Sequence, residues 1–301
     1  MKKEILVTVC MITYAHEDYI EQAINSILEQ KTSFDYELLI ADDCSPDATY
    51  EIIQRIINNH PQGSRIRYVK HDKNIGMTPN FKYVLSQSKG KYTAICEGDD
   101  YWIDNFKLQR QVDFLEKHKE YSIVAENGQV LNSIYNTKYL FNKESRELDY
   151  EIKDLLIKRR FPTASVMFRT KYLTEIDTLK TLCDTILWCF LATKGRIKFL
   201  PNVSSIYRKN HAGIVASTDK LLWAKITESW NKEILEIIKK SEKGNGFDYS
   251  IIKKRTFNEY WYAFLYYGIK SNLYKKIISY QKCLNTDLFR TIDQTKKHIL
   301  K

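Results

Sequence analysis

Ala94-Ile95-Cys96-Glu97-Gly98-Asp99-Asp100-Tyr101-Trp102 is the stretch whose reading decides the fold. Residues 92–96 form a short apolar run that reads as a buried strand. It stops abruptly at three acids grouped around a glycine. In an open α/β sheet, ligands bind just beyond the carboxyl ends of the strands. Carboxylates on a tight turn there suit a hard divalent cation, Mn2+ or Mg2+. Alone, the stretch reads equally well as a solvated acidic turn, so the neighbouring sequence has to decide.

Upstream, residues 5–12 are a continuous apolar run, as expected of a parallel strand buried on both faces. Thr13-Tyr14-Ala15-His16 breaks it. Ile20, Ala23, Ile24, Ile27 and Leu28 then recur at helical spacing within 17–30. Residues 36–41 make a second apolar strand ending in Asp42-Asp43-Cys44-Ser45-Pro46-Asp47. Ser45 and Pro46 read as the N-cap and first residue of the next helix. A third strand (65–69), a loop, a helix (78–88), the strand 92–96 and a helix (104–117) follow. This alternation predicts an α/β protein with a doubly wound, mostly parallel, Rossmann-like sheet. Asp42/Asp43 and Glu97/Asp99/Asp100 then project at one edge, the ligand edge.

Beyond residue 121 the pattern loosens. Residues 125–150 read as irregular, 161–168 as a strand, and a strongly apolar helix opens with Asp184. Residues 196–200 and 203–207 read as short strands, and 220–241, 249–270 and 273–284 as helices. The expected division is a catalytic domain over 1–217 and a helical C-terminal region over 218–301. That region holds 17 Lys/Arg against 9 Asp/Glu, so it carries +8 of the chain's +10. Rich in Trp and Tyr, it fits docking on an anionic membrane surface. A helix–helix core under a basic exterior fits equally, and nucleic acid is not expected as a partner.

The composition, 44% apolar and 28% charged, is that of a globular protein rather than a disordered tail. The six cysteines show no CxxC pair and no zinc spacing, which fits a reducing cytoplasm. Lys2-Lys3 before an apolar run faintly mimics a signal peptide, but no small-residue cleavage site follows. No apolar stretch approaches the ~20 residues that span a bilayer.

Several blocks together resemble the family 2 glycosyltransferases with the GT-A fold, over roughly residues 5–217. Val9-Cys10-Met11-Ile12-Thr13-Tyr14 resembles the family's opening strand and turn. Ile40-Ala41-Asp42-Asp43-Cys44-Ser45-Pro46-Asp47-Ala48-Thr49 resembles its DDxSxDxT block, and Asn74-Ile75-Gly76 its N-x-G loop. Glu97-Gly98-Asp99-Asp100 stands where the family has its DxD metal motif, with Glu in place of the first Asp. Asp184 stands where the family has its catalytic base. Tyr207-Arg208-Lys209-Asn210-His211-Ala212-Gly213-Ile214 resembles a block of bacterial surface-polysaccharide members.

The resemblance implies an inverting transferase that moves a sugar from a nucleotide-sugar, a UDP-sugar for preference, to a hydroxyl of a glycan or lipid-linked glycan. Capsule or O-antigen assembly is the implied setting, in the cytoplasm and peripheral on the inner face of the membrane. Thr13, Tyr14, Asp42, Asp43, Asn74, Glu97 and Asp99 are the expected nucleotide-sugar contacts. Tyr14 offers a ring for the base, unless it is a core tyrosine. Asp43 or Asp42 accepts from the base or ribose, unless it caps a helix. Asp99, Asp100 and His211 are the expected metal ligands, with Asp99 favoured over Asp100 and His211 otherwise a plain loop histidine. Asp184 is the expected base, partly buried so that its pKa rises, or else an ordinary first-turn acid favoured by the helix dipole. Two other readings remain. A sugar-nucleotide nucleotidylyltransferase would want a Gly-rich loop after the first strand, which Thr13–His16 lacks. The other is a non-catalytic glycan, nucleotide or membrane binder.

Overall fold

The computed structural model describes residues 4–209, 218–269, 272–287, 290–291 and 293–295. They fall into two compact units, one of 4–155 with 159–209 and the other of 156–158 with the residues beyond 217. In chain order the elements up to 209 are β1 (Ile5–Thr13), α1 (Ile20–Leu28), β2 (Asp35–Asp42), α2 (Thr49–Asn59), β3 (Ile66–Lys70), α3 (Met77–Ser86), β4 (Tyr92–Ile95), β5 (Tyr101–Trp102), α4 (Lys107–Lys117), β6 (Tyr121–Asn132), β7 (Thr137–Leu140), β8 (Leu148–Tyr150), α5 (Ile152–Ile157), β9 (Val166–Arg169), α6 (Asp184–Lys194) and β10 (Arg196–Lys209).

The strands form one sheet in the order β3-β2-β1-β4-β9-β6-β10-β5, with β7 on β6 and β8 on β10. β1 lies parallel between β2 and β4, and β2 is parallel to β3. β9 is antiparallel to both β4 and β6, so β6 runs the same way as β4, and β10 follows β6 in parallel. β1, β2, β3, β4, β6 and β10 therefore share one carboxyl edge, as the α/β alternation predicts. The short strands β5, β7, β8 and β9 run against them.

The apolar strands are buried because helices cover them. Val7, Val9, Met11, Leu38 and Ile40 join the α1 face Ile20, Ala23, Ile24 and Ile27 in one core. Tyr36 belongs to that core and is tied down, its hydroxyl donating to Ile27 O at 2.9 Å.

Three local expectations change. Residues 125–150 are not irregular, since β6 is a twelve-residue strand inside the sheet. Its polar residues masked it, and Glu126 and Asn127 have tertiary partners. Glu126 is fully buried against Arg110 at 2.9 Å from both oxygens. The Asn127 amide donates to Asn142 O at 2.7 Å. Residues 196–200 and 203–207 are one strand, β10, whose register shifts around Pro201 let the ladder tolerate a residue with no N–H. α2 starts at Thr49 rather than at Ser45-Pro46, because the Ser45 hydroxyl is spent on Asp42.

The second unit holds α7 (Lys220–Lys239), α8 (Ser250–Ile269) and α9 (Leu273–Thr286). Asp219 caps α7, its Oδ1 accepting from the N–H groups of Leu221 and Leu222 at 3.1 and 3.2 Å. Leu221, Ala224, Phe257, Tyr260, Ala263, Tyr267 and Cys283 form its core. Part of the aromatic run is thus helix–helix packing. Tyr262 remains exposed, and Trp223 and Trp230 meet edge to face on α7 with centroids 5.4 Å apart. Among the described residues no helix is long and apolar enough to cross a membrane.

Candidate active site

The carboxyl edge draws three loops together through backbone and side-chain hydrogen bonds. After β1, the Thr13 carbonyl accepts from Asp43 N–H at 2.9 Å, and Ile12 O accepts from Gly98 N–H at 3.0 Å. Ala15 N–H donates to Ser45 Oγ at 3.1 Å and His16 N–H to Thr49 Oγ1 at 3.0 Å. Ala15 and Cys44 both adopt left-handed backbone, φ 56° and 62°. Strain of this kind collects where surrounding structure fixes a loop. Gly98 has no substitute here, since a Cβ would lie 2.7 Å from Thr13 Oγ1 and 2.8 Å from His16 Nδ1.

The two acids after β2 are buried and already engaged. Asp42 Oδ1 accepts from Ser45 N–H (2.9 Å) and Oγ–H (2.6 Å), and its Oδ2 accepts from Tyr68 O–H at 2.7 Å. Asp43 receives the backbone N–H groups of Ile75 at 2.7 Å and Gly76 at 2.9 Å, one on each oxygen. Asn74 Oδ1 accepts from the same Gly76 N–H at 3.0 Å. Gly76 sits at φ 91°, so the Asn74-Ile75-Gly76 loop is shaped by Asp43 and by glycine's freedom. Tyr14 is exposed at this edge rather than in the core.

The turn after β4 is the electrostatic centre. Asp100 is buried; its Oδ1 accepts from Arg208 N–H at 2.8 Å, while its Oδ2 is buried with no hydrogen-bond partner. Burial, then Asp99 and Glu97, hold its pKa well above the usual carboxylate range. Burial, then Asp99 and Asp184, push Glu97 up to about 8. Asp99 is half-buried, and its carbonyl accepts from Arg208 Nη1 at 2.6 Å. The Arg208 guanidinium also lies 4.4 Å from the Tyr101 ring centroid. β5 pairs with β10 to hold the turn in place, with Ser205 opposite Trp102 and Ile206 opposite Tyr101. Beneath the turn, fully buried Lys107 donates to Gln111 Oε1 at 2.8 Å and lies 4.3 Å over the Trp102 ring.

Asp184, the first residue of α6, faces this turn, close enough to act on Glu97. Its Oδ1 accepts from Thr185 N–H (2.5 Å) and Oγ1–H (3.2 Å). Its Oδ2 accepts from Thr163 Oγ1–H at 3.1 Å and Arg159 Nη2–H at 3.3 Å. Burial pushes the Glu97 carboxyl up on this side of the site, and Asp184 is ion-paired to Arg159 at 3.3 Å.

Thr13, Asp42, Asp43, Asn74, Glu97, Asp99 and Asp100 all lie on the loops and strand ends of this edge, and Asp184 opens α6 close to Glu97. His211, with Asn210–Ile214, lies outside the described residues. Sequence reasoning missed Arg159. It sits in a stretch with no hydrophobic period and no motif, and only the fold carries it to Asp184. Among the described residues no three His, Cys, Asp or Glu side chains are gathered closely enough to hold a metal ion unaided. A pair of carboxylates completed by substrate phosphates is the arrangement Mg2+ commonly takes.

Comparison with known proteins gives the following. The pattern of the family described as "Glycosyl transferase family 2" matches residues 8–174. An uncharacterised Mycobacterium tuberculosis protein is 35% identical over 208 residues, 69% of this chain and 60% of the relative, so the chain matches well under two thirds of that relative's length. Escherichia coli WfaP, named as UDP-Glc:alpha-D-GlcNAc-diphosphoundecaprenol beta-1,3-glucosyltransferase, is 33% identical over 217 residues, 70% of this chain and 80% of WfaP. S. aureus TarS 1-349, solved with UDP-GlcNAc, superposes with a TM-score of 0.69 at 17% identity, over 95% of this chain and 83% of that one. At that identity the likeness is one of fold.

Proposed function

Because the chain belongs to glycosyl transferase family 2 and has its GT-A fold, we propose that it is an inverting glycosyltransferase. Its donor is a nucleotide-sugar, a UDP-sugar for preference, and its acceptor a hydroxyl of a glycan or lipid-linked glycan in surface-polysaccharide assembly. The names of WfaP and of the TarS complex support a uridine donor, and the name of WfaP supports a lipid-diphosphate acceptor. The catalytic domain is the sheet unit. The basic helical unit is the part that meets an anionic membrane surface, on the cytoplasmic side.

One observation carries the reading: the buried, unpartnered Asp100 Oδ2 beside Asp99 and Glu97 at the ligand edge. A buried carboxylate oxygen without a partner costs on the order of 1–3 kcal/mol, so the fold retains it for something it binds. The described donors, Asp99 and Asp100, are both carboxylates and fit Mn2+ or Mg2+. Asp99 and Asp100 would hold the ion, with His211 a third candidate. When bound, the ion offsets the charge that develops on the departing nucleoside diphosphate.

The chain's own residues do the rest. Tyr14 offers its exposed ring to the base. Thr13, and the loops that Asp42 and Asp43 brace, including Asn74, shape the nucleoside site. Glu97, beside Asp99 on the same turn, meets a ribose or sugar oxygen or a water on the ion. Asp184 takes the proton from the acceptor hydroxyl. The acceptor oxygen bonds the anomeric carbon as the bond to the diphosphate breaks, which inverts that centre.

Incubation with a panel of UDP-sugars, Mn2+ and glycan acceptors should release UDP. Asp99→Ala and Asp184→Ala variants that fold should lose at least about 100-fold in transfer rate. Folded variants that keep full transfer would sink the assignment.

A further inference from the structure

Arg159 is held differently from four other guanidiniums of the sheet unit. Arg67, Arg110, Arg169 and Arg208 each have a hydrogen bond of 2.7 Å or shorter. The hydrogen bonds of Arg159 to Asp184 and Thr163 are 3.3 and 3.4 Å. Charge-assisted hydrogen bonds are normally 2.7–2.9 Å. Yet the group is not loose in position. Its guanidinium carbon lies 5.5 Å from the Phe141 ring centroid and 5.4 Å from that of Tyr207, and those two rings meet edge to face at 6.2 Å. The adjoining Arg160 carbonyl accepts from Asn142 Nδ2–H at 2.9 Å, which fixes the backbone. The Arg159 side chain is still 45% exposed. Its cation is placed, half in solvent, and, though it also meets the Tyr207 hydroxyl, it makes only long hydrogen bonds to Asp184 and Thr163.

Asp184 has the opposite problem. A carboxylate offers about four acceptor positions, and all four are in use, by Thr185 twice, Thr163 and Arg159. To receive the proton of an acceptor hydroxyl, one of these donors must let go. Arg159 makes the longest of the four contacts. A second anion is what would draw it off.

We propose that Arg159, framed by Phe141 and Tyr207, is an acceptor-side subsite for an anionic group, phosphate or carboxylate, carried by the acceptor. Binding that anion turns the guanidinium from Asp184 and opens an oxygen of Asp184 to the hydroxyl. The two aromatic faces supply the apolar wall on which the acceptor sugar rests. The subsite rests on the reading of Asp184 as the base, and it makes Arg159 a specificity determinant.

The test is calorimetric binding to the full chain held with saturating UDP and Mg2+, so that the donor site is filled. The probes are farnesyl diphosphate for a lipid diphosphate, methyl β-glucuronide for a sugar carboxylate, and octyl β-glucoside as the neutral control. One anionic probe should bind wild type about tenfold more tightly than Arg159→Gln, the loss of roughly one charge-assisted hydrogen bond. Whichever probe does so identifies the source of the anion. UDP affinity and octyl glucoside binding should be the same in both proteins. Asp184→Asn, which removes the competing carboxylate, should bind the same probe more tightly than wild type. Equal binding of both anionic probes by wild type and Arg159→Gln, or none by either, overturns the proposal. So does a parallel fall in UDP affinity, which would place Arg159 on the donor. Failure of wild type to bind UDP at all would instead sink the proposed function, so the two failures are distinguishable.

Discussion

The sheet buries acids in two settings, and they are treated oppositely. Inside the sheet, Glu126 is bracketed by Arg110, and Glu37 by Arg67 at 3.0 and 2.9 Å with Thr8 at 2.8 Å. Burial pushes Glu37 up, but the hydrogen bonds from Arg67 and Thr8 outweigh it and hold its pKa below the usual value. At the carboxyl edge, Glu97 and Asp100 are pushed up, and Asp100 Oδ2 has no partner. The chain can satisfy a buried carboxylate completely, so the unsatisfied Asp100 Oδ2 at the edge marks the place where something else must arrive.

The contrast can be broken from the paired side first. Arg110→Ala leaves Glu126 buried with neither of its hydrogen-bonded guanidinium contacts, and should cost about 3 kcal/mol in urea denaturation, the buried Lys107 ammonium offsetting part of the loss. A loss under about 1 kcal/mol would mean the paired acids are no more secured than the edge acids.

Lys107 tests a buried cation with one hydrogen bond. Burial depresses its pKa from 10.5 to about 8. The unfolded chain therefore binds the extra proton between these values, and stability from this group grows as pH rises through the window. Wild type should gain about 3 kcal/mol on Lys107→Met from pH 8 towards 10.5. A pH-independent difference would show that the ammonium reaches solvent.

At the edge, Mn2+ at a hundredfold excess over its dissociation constant should stabilise wild type by about 2.7 kcal/mol. Asp100→Asn should lose that response. Without metal it should lie within about 1 kcal/mol of wild type, since the amide that replaces Oδ2 is just as short of a partner. An Asp100→Asn variant that is destabilised and still responds to Mn2+ would remove the edge acid from the site. The smallest effect belongs to the exposed Arg55–Glu21 pair, 55% and 53% exposed. Arg55→Ala should stay within about 0.5 kcal/mol of wild type.

Much of this edge was legible in the chain. The runs at β1, β2 and β4 are apolar because both faces of a parallel strand are covered. Each stops at residues that only a loop would carry, which places Asp43 and Asp100 without coordinates. β6 was not legible, because Glu126-Asn127-Gly128-Gln129 looks like a loop until Arg110 and Asn142 are brought against Glu126 and Asn127. Ser45 was misread for a related reason. Its local partner, the start of a helix, lost to the Asp42 carboxylate three residues earlier and to Ala15, which sequence separation hides.

What the sequence determined by itself is the α/β alternation, the edge at which acids gather, and the family to which the blocks belong. Those follow from periodicity and from residue types at short spacing, which are local properties. What only the tertiary structure decided is which acids are spent and which are available. Asp42 and Asp43 are bonded within the protein, Asp100 is left one oxygen short, and Asp184 is shared with an arginine 25 residues away. Whether a carboxylate is satisfied depends on donors supplied by distant segments, and no local pattern records them.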